Sequence, residues 1–202
     1  IEDTGLSGKH IELMGRNSYW WMVCLCAVFW SGSVAVLLDR ELDEEELKER
    51  VGRVEAEALF FERAPEVEER CRALEERVKI LSFEKVRETC RSGRESKKKV
   101  RKRGEDLGCI FFTSGTTATS KAVMMSEHGL SAGICHNIND KKFHSILAVL
   151  PFHHLSGFSS SLNALFLGAE VCIGEEQKYF YQYLKELQPD YVFIVPSMLR
   201  ML

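Results

Sequence analysis

From Trp20 to Leu38 the chain runs 19 residues without a single charge, and the fold has to hide that stretch from water. A run of this length reaches the threshold for a membrane-crossing helix. Two features favour another solution. Ser31-Gly32-Ser33 interrupts the run with turn-forming residues, and Val34-Ala35-Val36-Leu37-Leu38 is a β-type segment that ends at Asp39. Asn17-Ser18 can cap a helix beginning near Tyr19. A buried helix, a tight turn and a buried parallel strand account for every residue of the stretch, because a strand covered on both faces reads as one continuous apolar run. The expectation is therefore no transmembrane span, with peripheral contact at a membrane surface left open.

The rest of the chain repeats that alternation. Leu42-Asp43 to about Arg53 reads as a charged helix capped by Asp43, with Leu47 and Val51 on one face. Ala58 to Phe61 reads as a strand, Pro65 to Arg77 as a helix, and Val78 to Leu81 as a strand. Cys109–Phe112, Ile146–Leu150, Val171–Ile173 and Tyr191–Val195 are further apolar strands. Strand and helix trading places at these intervals predict an α/β fold of βαβ units on mostly parallel sheets with flanking helices.

The seven cysteines have no regular spacing and no C-x-x-C pair. An odd, scattered set suits reduced thiols and a cytoplasmic protein. Cys24 and Cys26 are read as small buried hydrophobes. From Arg91 to Arg103, eight of thirteen residues are Lys or Arg. Nucleic acid or an anionic membrane could take such a run. No aromatic residues are interleaved for base stacking, and the chain's net charge is -3. Residues 91–106 are therefore read as a solvated basic connector, with no nucleic-acid partner expected.

The stretch richest in chemistry follows Phe111-Phe112. Thr113-Ser114-Gly115-Thr116-Thr117-Ala118-Thr119-Ser120 is a run of small and hydroxyl-bearing residues, closed by Lys121. Polyphosphate binding needs close backbone N–H groups, hydroxyl donors and one cation, and this segment supplies all three. It is not a Walker A loop, since G-x-x-x-x-G-K-[ST] is missing. A plain Ser/Thr linker would not need a buried strand feeding into it.

Thr113 to Thr117 and then Lys121 resemble the signature loop of the adenylate-forming superfamily, which includes acyl-CoA synthetases, luciferases and non-ribosomal adenylation domains. The family pattern is T-S-G-T-T-G-x-P-K-G, and the chain departs from it at Ala118, Ser120 and Ala122. An alanine forced to φ > 0 would cost on the order of 1 kcal/mol, which bears on loop dynamics more than on phosphate contact. A second match lies downstream, where Leu150-Pro151-Phe152-His153-His154-Leu155-Ser156-Gly157 is similar to L-P-x-x-H-x-x-G, with His154 at the motif's histidine. A metal at His153-His154 lacks a third ligand with suitable spacing, and a polar capping role stands beside the functional one for His154. Gly15 to Trp20 and Gly32 to Asp39 are similar to the family's opening helix and first buried strand.

The resemblance implies a definite site and reaction. Thr113, Ser114, Gly115, Thr116, Thr117 and Lys121 would hold the β- and γ-phosphates of ATP, with Thr113 near Mg²⁺, and His154 would orient the substrate carboxylate. The carboxylate would attack the α-phosphate, and coenzyme A would then displace AMP. The implied protein is an acyl-CoA synthetase, a fatty acid being favoured as substrate on the family's general run, on His154 and on the apolar Phe158–Leu167 stretch. Relatives acting on an aryl acid, an amino acid or a carrier protein are alternatives, as is a truncated module that binds nucleotide without chemistry. The family's Y-G-x-T-E and T-G-D segments do not occur. Residues 1–202 are thus expected to be a partial N-terminal AMP-binding domain that lacks the rest of that domain and the C-terminal lid, and to be inactive alone.

Overall fold

The computed structural model describes residues 1, 4–91, 100–113, 120–135 and 143–199. They form two compact units, residues 1–15 with 20–127, and residues 16–19 with 128–202. Both are α/β, as expected.

The first unit is built on a six-stranded sheet. In chain order its elements are β1 (His10–Met14), α1 (Tyr19–Trp30), β2 (Val34–Leu38), α2 (Glu44–Arg53), β3 (Ala58–Phe61), α3 (Pro65–Arg72), β4 (Lys79–Ser82), α4 (Phe83–Arg91), β5 (Leu107–Thr113) and β6 (Lys121–Ser126). The strand order is β4-β3-β1-β2-β5-β6. Every neighbouring pair is parallel except β5 and β6, which form an antiparallel pair at one edge.

The uncharged stretch is a helix, a turn and a strand. All five residues of β2 are buried, which fits a strand with β1 on one side and β5 on the other. Gly32 makes the turn at φ +70°, and an added Cβ would sit 2.5 Å from Cγ1 of Val100; both facts exclude a larger residue. Among the described residues no helix is long and apolar enough to cross a membrane.

One sheet face carries Met14, Val36, Leu38, Leu59, Phe61, Ile110 and Phe112 in a core shared with Leu47 and Val51 of α2 and Val67 and Cys71 of α3. Asp43 caps α2 through a reciprocal capping box with Glu46. α3 stops at Arg72, five residues short of the expected Arg77. The chain tightens there into turns that bury Leu74 completely, with Arg77 N–H and Val78 N–H both donating to the Leu74 carbonyl. Two strands escaped the sequence reading. β1 contains His10 and Glu12, which break the apolar pattern, and Glu12 is fully buried all the same. β6 is largely solvent-facing, with Val123 and Met124 exposed. All seven cysteines are free; Cys24 is buried as expected, but Cys26 is exposed and is no core residue. Burial pushes the Cys24 thiol up to about 12.

The second unit carries α5 (Glu127–Cys135, from His128 onward), β7 (Ser145–Ala148), α6 (Leu155–Phe166), β8 (Glu170–Ile173), α7 (Phe180–Leu187), β9 (Tyr191–Val192) and α8 (Pro196–Leu199). Its sheet has the order β8-β7-β9, all parallel. Leu147, Val149, Leu150, Phe180 and Met198 form its main core.

Candidate functional site

The Ser/Thr-rich loop is closed by the β5–β6 pair. Phe112 pairs with Ala122 and Thr113 with Lys121, so antiparallel pairing brings both ends of the loop to adjacent positions. Thr113 and Lys121 are exposed at that neck. Ser114, Gly115, Thr116, Thr117 and Ala118 lie outside the described residues. Ala122, one of the departures from the family pattern, is a strand residue packed against the core, and it is absent from the positive-φ positions Glu55 and Gln188. An alanine there carries no backbone penalty.

Three cationic side chains that sequence reading did not assign to the site hold this hairpin. The Arg50 guanidinium of α2 lies 5.0 Å from the centre of the Phe112 ring, within cation–π range. One helical turn on, Arg53 donates to the Ser120 carbonyl, next to Lys121, and pairs with Glu49. At the opposite end of β5, Lys102 Nζ donates to the carbonyls of Ser33 (2.6 Å) and Leu107 (2.7 Å) and lies 3.5 Å from Glu127 Oε1. Burial pulls the Lys102 pKa down, against the raising effect of Glu127. Lys102 belongs to the basic connector, and here it is a structural pin; residues 92–99 of that connector are outside the described residues.

The histidine segment is assembled within the second unit. His154 occupies the N-cap position of α6 with extended backbone, and its side chain makes no capping hydrogen bond. It is exposed, and its ring centre lies 4.2 Å from that of His153. The approach to it is held by Asn17, which the sequence suggested as a helix cap. The described contacts of the Asn17 side chain go elsewhere: Nδ2 donates to the Leu150 carbonyl at 2.9 Å, with longer contacts at 3.4 Å to those of Ala148 and Gly174, and Oδ1 accepts from Phe152 N–H at 2.8 Å. Gly157 explains the last position of the motif. A Cβ there would lie 2.3 Å from the Pro151 carbonyl oxygen and 2.5 Å from that of Leu150, so only glycine lets α6 start against this turn.

Beside α6 is a cavity of about 340 Å³, walled by Ser156, Ser159, Ser160 and Asn163 from one helix face and by Phe143, Tyr191 and Phe193. Phe143 and Tyr191 are stacked at 5.0 Å. Among the described residues, no group of three His, Cys, Asp or Glu is placed to hold a metal ion.

Comparison with known proteins bears on the family. The profile of the AMP-binding enzyme family matches residues 4–202. Luciferin 4-monooxygenase from Photuris pensylvanica is 30% identical over 106 residues, covering 48% of this chain and 19% of that protein. A CoA ligase from Gibberella moniliformis is 28% identical over 180 residues, covering 84% of this chain and 29% of that protein. The inhibitor-bound N-terminal domain of FACL13 from Mycobacterium tuberculosis superposes with a TM-score of 0.86 at 19% identity, covering 99% of this chain and 53% of that one. The chain thus spans about half of that domain and under a third of the two other relatives. With that family match over residues 4–202 and the α/β architecture in agreement, the chain belongs to the adenylate-forming AMP-binding enzyme family.

Proposed function

We propose that these residues are the N-terminal part of an ATP-dependent acid–thiol ligase of the acyl-CoA synthetase type, located in the cytoplasm. The observation that carries the reading is the pairing of Thr113 with Lys121 across the neck of a Ser/Thr-rich loop. A hydroxyl, an ammonium and the backbone N–H groups between them suit the β- and γ-phosphates of ATP. Of these groups the exposed Thr113 hydroxyl fits Mg²⁺, which takes oxygen ligands, usually one or two from protein beside substrate phosphates and water. When bound, the ion would offset the charge of the phosphates.

His154 is assigned to orient the substrate carboxylate, at the start of a 12-residue helix whose first N–H groups favour an anion. A carboxylate oxygen attacks the α-phosphorus of ATP and pyrophosphate leaves, giving an acyl-adenylate. The sulfur of coenzyme A then attacks the acyl carbon and AMP leaves. The protein supplies alignment and charge neutralisation.

A fatty acid is the proposed substrate class. That class rests on the resemblance to acyl-CoA synthetases and on His154; α6 itself turns Phe158 and Ala164 into the core and its serine face toward the cavity. An aryl acid is the second reading, favoured by the Phe143–Tyr191 stack in that cavity. The test is acid-dependent ATP–pyrophosphate exchange by the protein carrying these residues, across fatty, aryl and amino acids. Exchange is expected with one acid class, and not from residues 1–202 alone. Nucleotide binding without exchange for any acid would overturn the ligase reading in favour of a non-catalytic module.

A further inference from the structure

We propose that Arg50 and Arg53 of α2 are positioning residues that clamp the two stems of the phosphate loop, Arg50 through Phe112 before it and Arg53 through Ser120 after it. The inference rests on the reading of that loop as the polyphosphate site. Neither arginine belongs to the two family motifs recognised in the sequence.

The geometry joins three observations. α2 is a firm base: its first turn is closed by the Asp43–Glu46 capping box, and Leu47 and Val51 are buried. Arg50 and Arg53 are three residues apart and lie on the same side of the helix. Their guanidinium groups reach the two sides of one hairpin, the Phe112 ring on β5 and the Ser120 carbonyl just before β6. A cross-link from one rigid helix to both stems holds the neck of the loop, where Thr113 faces Lys121. Arg53 is itself oriented by Glu49 and keeps a third of its side chain exposed.

The clamp also gives the departure at Ser120 a physical meaning. Proline in that place, as in the family pattern, would restrict the backbone by its fixed φ. Serine leaves φ free, and the hydrogen bond from Arg53 to the Ser120 carbonyl restrains the same residue from outside. On this view the arginine and a proline are interchangeable restraints.

The experiment compares wild type, Arg53→Ala, and Arg53→Ala with Ser120→Pro. Amide hydrogen exchange is read at Lys121–Val123 and at Leu107–Cys109, beside titration of inorganic pyrophosphate and ATP. Loss of one charge-assisted hydrogen bond is expected to speed exchange at Lys121–Val123 roughly tenfold, to leave Leu107–Cys109 unchanged, and to weaken pyrophosphate binding by a similar factor. Ser120→Pro is expected to restore both. Unchanged exchange at Lys121–Val123, equal acceleration at both ends, or no rescue by proline would overturn the clamp. Absence of pyrophosphate and ATP binding in wild type would overturn the polyphosphate reading instead, and the exchange data would still decide whether the arginines hold the hairpin.

Discussion

Asn17 and Phe152, 135 residues apart in sequence, are joined by a 2.8 Å hydrogen bond from the Phe152 N–H to the Asn17 side-chain oxygen. The same amide donates to the Leu150 carbonyl at 2.9 Å. One side chain therefore bridges an N–H and a carbonyl of the same turn, and it sets the path of the backbone into His154. Asn17 is itself buried.

Asn17→Ala is expected to cost about 2–3 kcal/mol, because it removes buried hydrogen bonds to Phe152 N–H and the Leu150 carbonyl. Urea denaturation checks the magnitude. Asn17→Asp tests the donor half: it keeps the acceptor for Phe152 but loses the donor to Leu150, and should recover only part of the loss.

Gly157→Ala is expected to be at least as damaging, by about 2 kcal/mol or more, since its Cβ would meet two backbone carbonyls that cannot swing aside. Thermal melts would show the loss. A variant with wild-type stability would mean that the start of α6 can move away from Pro151, contrary to its packing.

Glu12 carries a pH dependence with a definite sign. Its carboxylate is completely buried, with no hydrogen-bond partner for either oxygen among the described residues, and burial raises its pKa well above the usual carboxylate value. The fold thus favours the protonated form. Its contribution is fully present below the unfolded pKa of about 4.3 and is lost at about 1.4 kcal/mol per pH unit as pH rises toward the folded pKa. Glu12→Met should be more stable than wild type at pH 8, and the difference should shrink toward pH 4 in denaturation curves. Parallel curves for the two proteins would rule the assignment out.

Lys102→Met is expected to destabilise the first unit by about 2 kcal/mol, since two carbonyls lose their donor and Glu127 loses its cation. The loss should appear as faster amide exchange at Leu107–Cys109, the end of the hairpin away from the loop neck, and calorimetry would give its size.

At the candidate ligase site, Lys121→Ala should raise the KM for ATP with little effect on acid binding, and His154→Ala should lower the exchange rate with ATP affinity nearly unchanged. Steady-state pyrophosphate exchange in the protein carrying these residues separates the two patterns. The reverse assignment would exchange the roles given to the two residues.

What sequence alone determined is everything carried by local pattern. The uncharged run from Trp20 to Leu38 had to be a buried helix, turn and strand once Ser31-Gly32-Ser33 was read as a turn. The cap at Asp43 and the strand at Ala58–Phe61 were equally legible, since each depends on residues within a few positions of one another, and the two motifs around Lys121 and His154 are local patterns of the same kind. Tertiary structure decided what depends on distant partners. β1 stayed hidden because an ionisable Glu12 in a core strand contradicts the statistics of burial, and only its place between β2 and β3 makes it a strand. β6 exists because β5 offers it an edge, not because its own sequence alternates. Asn17 could have been a helix cap; the turn that took its amide lies 135 residues further along the chain. Arg50 and Arg53 read as solvated charges on a polar helix, and the β5–β6 hairpin beside α2 is what gives their guanidinium groups something to hold.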